Sequence, residues 1–197
     1  MSRQKNGPGG ERWDLLDAAG RPLGKTVARG APHPAGSYHA VAGLLVLDAQ
    51  NRLLLTLRDS AKAQYPDLWE NPGGCVRAGE RPAQAACREL AEETGIGAAE
   101  TALTLLSTLV ERTALVFTYA LRAAPPAGGL RLQPGETSAA RWVTRAELTA
   151  LAESGALSAA SARRLAAARA PLDAFLAGRP TAPVYAVLPN ENLTPSG

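Results

Sequence analysis

Three glutamates, Glu89, Glu92 and Glu93, fall in one five-residue stretch of the segment GGCVRAGERPAQAACRELAEETGI, Gly73 to Ile96. Glu89 to Glu93 is one helical turn and Glu92 lies between them in angle, so the three side chains can converge on one ion. Like charges at this spacing weaken a helix. A hard divalent cation among them relieves the repulsion, and all-oxygen ligation suits Mg2+ or Mn2+, which also take oxygens from a substrate phosphate. Gly73 and Gly74 let the backbone approach such an ion closely enough for a carbonyl to join its ligands. A salt bridge from Arg88 to Glu80, eight residues earlier, would pin the loop to the helix and orient the carboxylates. The competing reading is a solvated acidic half-helix held up by Arg88–Glu92 pairing.

These residues need a helix with fixed ends and a sheet beneath it. Pro82 suits a first helical residue, because its missing N–H is not needed there, and Gly95 supplies a stop, so the helix is expected from Pro82 to about Thr94. Ala83, Ala86 and Leu90 form its expected buried stripe. Upstream, RWDLLDAAGRPLGKTVARG reads as a hairpin turning at Ala19–Pro22 and returning through Lys25 to Ala28. YHAVAGLLVLDAQNRLLLTLR gives two strands around the Asp48–Asn51 turn, the first central and the second well buried. YPDLWENPGG reads as a loop. Downstream, LTLLSTLVER, TALVFTYALR and TSAARWVT are strands. RAELTALAESG is a short helix closed by Gly155, and SAASARRLAAARAPLDAFLAG is helical until Pro171 breaks or kinks it. The order predicts a layered α/β arrangement on a mixed sheet. No G-x-G-x-x-G follows a strand, which argues against dinucleotide binding by that route.

The pattern extends beyond the three acids. Gly74, Glu80, Arg88, Glu89, Leu90, Glu92, Glu93, Gly95 and Ile96 fit G-x5-E-x7-R-E-U-x-E-E-x-G-U, where U is aliphatic. A chance match in a chain of this length is below about one in a million. The segment resembles the signature box of the Nudix hydrolases without departure, and the resemblance covers roughly Tyr38 to Leu151. It implies an α/β/α sandwich and hydrolysis of a nucleoside diphosphate linked to another moiety. Carried over position by position, it makes Glu92 and Glu93 metal ligands and Glu89 a ligand or the general base. The Gly73 carbonyl joins them, and Glu80 with Arg88 forms the structural bridge of the box. Such an enzyme uses the metal to neutralise the diphosphate and acidify a water, while a carboxylate takes the proton. Glu136, six residues before Trp142, stands where relatives often carry an extra acid, or is a solvated turn residue. Glu111 is a further candidate acid. The domain is then expected over residues 11–180 with its core at about 38–155, a flexible tail over 1–10 and a Pro-rich tail over 181–197.

Arg58 and Lys62 lie on the strand and loop leading into the box and are candidate phosphate contacts. Trp69 either stacks on a base or packs the loop, and of Phe117 and Tyr119 the core is the expected place. The N-terminal half is also similar to the isopentenyl-diphosphate isomerase branch of the superfamily, whose two metal-binding histidines His33 and His39 match in placement. The position of that branch's catalytic cysteine is Gly73 here, and a ligand histidine position is Cys75. Hydrolysis is therefore expected over isomerisation, with His33 and His39 as turn or packing residues. A non-catalytic nucleotide-binding or regulatory domain is the other alternative.

The chain as a whole, 197 residues with 46% hydrophobic and 20% charged, has the composition of a soluble globular protein. A net charge of +3 argues against a dedicated nucleic-acid binder. Cys75 and Cys87 have no metal-type spacing and are expected as free thiols. The longest clean apolar run, Ala40–Leu47, is far too short to span a bilayer, and the start lacks a secretory h-region, so a cytoplasmic location is expected. A homodimer through the hairpin or the Pro-rich tail completes the expectations.

Overall fold

The computed structural model describes residues 10–188; the expected N-terminal tail, apart from Gly10, and the last nine residues of the Pro-rich tail lie outside the described residues. The order is β1 (Arg12–Leu16), β2 (Pro22–Ala28), β3 (Tyr38–Leu47), β4 (Leu53–Arg58), β5 (Trp69–Glu70), β6 (Gly73–Cys75) and α1 (Pro82–Thr94). There follow β7 (Thr104–Glu111), β8 (Ala114–Arg122), β9 (Thr137–Val143), α2 (Arg145–Glu153), α3 (Ala159–Ala167), α4 (Arg169–Leu176) and β10 (Val184–Val187).

β3 is the axis of the molecule. One edge pairs parallel with β8 from His39 to Leu47, and the other is shared antiparallel between β1 at Tyr38–His39, β6 at Val41–Gly43 and β4 at Leu47. The sheet runs β10-β7-β8-β3-β1-β2, and β4, paired with the end of β3, carries β9 and β5. Side chains of β3 divide by strand period. Ala40, Ala42, Leu44 and Val46 meet Ala85, Ala86 and Leu90 of α1, whereas Leu45 and Leu47 meet Leu53, Leu55, Val143 and Leu157 with the side chains of α2, α3 and α4 beyond. Helices thus cover both faces of a mixed sheet, an α/β/α sandwich. Phe117 and Tyr119 pack against the α1-side core, and burial pushes the Tyr119 phenol up to about 12.

Two turns use one device. Asp17 accepts hydrogen bonds from the Ala19 and Arg21 amides at 2.9 Å and from Arg21 Nε at 2.8 Å; Asp48 accepts from Gln50 and Arg52 amides at 2.9 and 2.8 Å and from Arg52 Nε at 2.7 Å. An aspartate closing its own turn in this way fixes the entry of the next strand.

Two expectations are corrected, and the Pro-rich tail gains a pairing partner. The buried residues of α1 are Ala85, Ala86, Leu90 and Thr94, with Ala83 only half-buried. The stripe is rotated because the helix also turns its carboxylates inward. The YPDLWENPGG loop contains β5 and the start of β6, strands too short to show an alternation. Part of the Pro-rich tail is β10, which pairs parallel with β7 from Val184↔Ser107 to Val187↔Val110. Pro171 does break the last helix, at Ala168. The ring has no N–H for the carbonyl four residues back, so the chain restarts as α4 with Pro171 in the first turn, where no donor is needed.

Candidate active site

The site is built where β6 passes between β3 and α1. Gly73 has φ +152°, and a Cβ there would stand 2.3 Å from the Ala42 carbonyl oxygen; at Gly74 it would stand 2.4 Å from the Glu89 carboxyl carbon. No side chain fits at Gly73, where the clash is with backbone, and one at Gly74 would have to push the Glu89 carboxylate aside. The two glycines let a helix carboxylate lie directly on strand backbone. Gln84 Oε1 accepts the Arg81 amide at 2.9 Å at the start of α1, and at its end Gly95 (φ +75°) donates to Ala91 O at 3.1 Å.

Arg88 gathers one set of acids. Its Nε and Nη2 donate to the two Glu80 oxygens at 2.8 Å each, Nη1 donates to Glu89 at 2.6 Å and Glu92 at 3.2 Å, and Nη2 also reaches the Cys75 carbonyl at 3.1 Å. Burial opposes ionisation of Glu80, yet hydrogen bonds from Arg88 and from the Arg77 amide outweigh it and lower its pKa. The fork geometry is what only arginine provides.

Glu93 is the opposite case. It is deeply buried, and among the described residues its one hydrogen bond is from the Gly73 amide at 3.2 Å. Burial raises its pKa well above the ordinary 4.5, and the charges of Glu89, Glu70 and Glu136 raise it further. No lysine or arginine among the described residues pairs with it. It also sits in the last turn of α1, where the helix dipole favours cations over anions. Glu89 is mostly buried as well and its pKa is raised by burial, though Arg88 offsets part of this. Because Arg88 draws Glu89 and Glu92 to itself, the three box carboxylates are not gathered on one point: among the described residues no three His, Cys, Asp or Glu side chains form a group able to hold an ion.

Residues 37–165 match the family model of the NUDIX domain. The chain belongs to the Nudix family. Over 156 residues it is 31% identical to an uncharacterised Nudix hydrolase of Listeria monocytogenes, covering 74% of this chain and 86% of that protein. It is 36% identical over 86 residues to an isopentenyl-diphosphate Delta-isomerase of Nocardia farcinica, covering 43% of this chain and 49% of that one. Among solved structures, DR0079 of Deinococcus radiodurans superposes with a TM-score of 0.61 at 22% identity, over 75% of this chain and 92% of that chain, which shows the shared sandwich. By family the chain is a Nudix hydrolase, an enzyme acting on pyrophosphate-containing substrates.

Around the Nudix box three other acids each carry a cation. Glu70 accepts from Arg58 Nη1 at 2.6 Å, Glu136 pairs with Lys62, and Glu111 accepts from Arg164 Nη2 at 3.0 Å. Arg58 and Lys62 are therefore engaged rather than free. Trp69 packs against the α3/α4-side core with the Arg141 guanidinium over its ring, 4.5 Å from the centroid. Glu70 and Arg164 were not singled out from the sequence. Glu70 raises the pKa of Glu93 through its charge, and its own pKa is raised by burial. Its position three residues before Gly73 was the one available signal; Arg164 gave none, because α3 brings it in from 53 residues beyond Glu111. The Asn71 side-chain amide, beside Glu70, is buried with neither atom hydrogen-bonded among the described residues.

The isomerase-like features resolve into packing. His39 stacks on Trp13 with centroids 4.2 Å apart, and His33 lies 5.0 Å from His39. Burial and the neighbouring His33 lower His39 to about 4, so it is neutral at physiological pH. Burial pushes the Cys75 thiol up to about 11, which disfavours a reactive thiolate. No helix of the described residues is long and apolar enough to cross a membrane.

Proposed function

We propose that this Nudix hydrolase cleaves a diphosphate bond in a nucleoside diphosphate linked to another moiety, with Mg2+ or Mn2+ as cofactor. The observation that carries the reading is Glu93. A buried carboxylate beside three other acids, hydrogen-bonded only to an amide, costs several kcal/mol unless a cation compensates it. The donor chemistry fits such an ion once Glu89 and Glu92 turn from Arg88 toward Glu93: these three carboxylates and the Gly73 carbonyl offer hard oxygens, and Glu92 is half-exposed. When bound, the ion would neutralise charge on the diphosphate and make a water more acidic.

The chain's own residues have distinct tasks. Glu80 and Arg88 brace the helix against the β6 loop, so the carboxylates keep their orientation. Glu89, held in low-dielectric surroundings, serves as ligand or as general base. Lys62 and Arg58 recognise phosphate by exchanging partners: Lys62 moving to a substrate oxygen frees Glu136, and Glu136 is then the second carboxylate available to take a proton. Trp69, its ring covered by Arg141, supports the loop beneath this site. The isomerase alternative has no thiol at Gly73 to donate a proton.

The test is turnover with Mg2+ of a panel of dNTPs, NDP-sugars, ADP-ribose, coenzyme A and dinucleoside polyphosphates, read as phosphate or pyrophosphate release. One class is expected to turn over, and Glu93→Gln is expected to lower its rate at least about 100-fold, as loss of metal-borne charge stabilisation requires. Nucleotide binding with no turnover of any member would establish the non-catalytic alternative, and conversion of isopentenyl diphosphate the isomerase.

A further inference from the structure

The N-terminal hairpin touches the box through three nearly consecutive residues. Arg12 O accepts the Ala78 amide at 2.8 Å, and Asp14 Oδ2 accepts the Gly79 amide at 2.7 Å. Glu11, just before β1, adds a side-chain contact. One of its oxygens takes Arg29 Nη1 at 2.7 Å, and the other faces Arg77 Nε at 3.5 Å. Arg77 then reaches Glu92 with Nη2 at 3.7 Å, on the same oxygen that Arg88 Nη1 holds at 3.2 Å. An unbroken file of charges therefore runs Arg29–Glu11–Arg77–Glu92.

Within this file Arg77 is divided between two carboxylates. Its backbone amide is held by Glu80 at 3.0 Å, and the carboxylates its half-exposed guanidinium meets among the described residues are Glu11 and Glu92. Whatever hold Arg77 keeps on Glu92 must be given up when Glu92 turns to a metal ion. We propose that Glu11 is a positioning residue that draws Arg77 away from Glu92 and thereby sets the affinity of the site for its divalent ion. The role rests on Glu92 and Glu93 being ligands, as proposed above. It gives the hairpin, an addition outside the signature box, a part in the chemistry of the box. Glu11 touches neither ion nor substrate.

The distances fix the size of the effect. Arg77 and Glu92 are half-exposed, so each link is a solvent-screened pair, and about fivefold in affinity is the ceiling for such a pair. The experiment is Mn2+ binding to the full chain without substrate, read by electron paramagnetic resonance, for Glu11→Gln, Arg77→Gln and the double variant. Glu11→Gln is expected to weaken Mn2+ binding about three- to fivefold. Arg77→Gln is expected not to weaken it, and in the Arg77→Gln background the Glu11→Gln loss is expected to vanish. An equal loss in both backgrounds would mean that Glu11 acts only through its own charge, and no loss in either would mean that it does not act; both overturn the proposal. Should Glu11→Gln not fold, Arg29→Gln takes its place with the opposite sign. It leaves Glu11 wholly to Arg77 and is expected to tighten Mn2+ binding only where Arg77 is present; equal tightening in both backgrounds overturns the role. Glu93→Gln separates the two levels. Undiminished Mn2+ binding there would remove the parent assignment, whereas lost binding there with no response to Glu11→Gln would remove the positioning role alone.

Discussion

The two ends of one acidic helix are solved in opposite ways. Arg88 is ringed by Glu80, Glu89 and Glu92; one turn on, Glu93 is a single acid near Glu89, Glu70 and Glu136 with, among the described residues, an amide alone to meet it. The first arrangement is electrostatically complete within the chain. The second is a deficit of positive charge built into the interior. An acidic helix that needed only to be tolerated would have received a second arginine, as Glu70 and Glu111 did with Arg58 and Arg164. The difference is what supports the proposal that Glu93 is kept for a cation from outside.

Removing the complete end should cost most. Arg88→Met leaves Glu80 and Glu89, both mostly buried, without the cation that braces them and Glu92 with Arg77 alone, and is expected to destabilise the protein by about 3–5 kcal/mol in urea unfolding. A loss under about 1 kcal/mol would mean that the ring of acids is better solvated than its burial indicates. Gly74→Ala tests the contact between the two ends more gently. A methyl 2.4 Å from the Glu89 carboxyl forces that side chain away from β6, with an expected cost of about 1–3 kcal/mol and weaker metal activation. The smallest effect is on the pH dependence of the metal-free protein. Burial raises Glu93 above 4.5, so the folded state binds more protons than the unfolded state over the interval between the two values. Stability is then fully present below about pH 4.5 and falls as pH rises through the folded pKa. Metal-free Glu93→Gln should accordingly melt about 3 °C above wild type at pH 8 and level with it at pH 4.

This contrast also marks how far the sequence could be read. Glu80, Arg88 and the three box acids were legible because one helix and its loop hold them at fixed spacing, and Pro82 and Gly95 announce where that helix begins and ends. The burial of Glu93 was not. Periodicity sends charged residues to solvent and so puts Ala83 in the buried stripe, whereas Ala85, Glu89 and Glu93, spaced four apart, all turn inward. Glu70 and the pairs Arg58–Glu70, Lys62–Glu136 and Arg164–Glu111 depend on strand pairing and helix docking across 12 to 74 residues, which no local pattern encodes. The strands β5 and β6 were missed for a related reason: two or three residues rich in glycine carry no alternation, and they exist because β4 and β3 offer them edges.

The most direct measurement is the anomalous scattering of Mn2+ in crystals soaked with a non-hydrolysable diphosphate analogue, compared between wild type and Glu93→Gln. The account predicts a peak about 2.1 Å from a Glu93 oxygen in the wild type, with analogue oxygens completing its coordination, and no peak in the variant. A peak that persists in Glu93→Gln, or a wild-type structure in which Glu93 stays on the Gly73 amide without an ion, would contradict it.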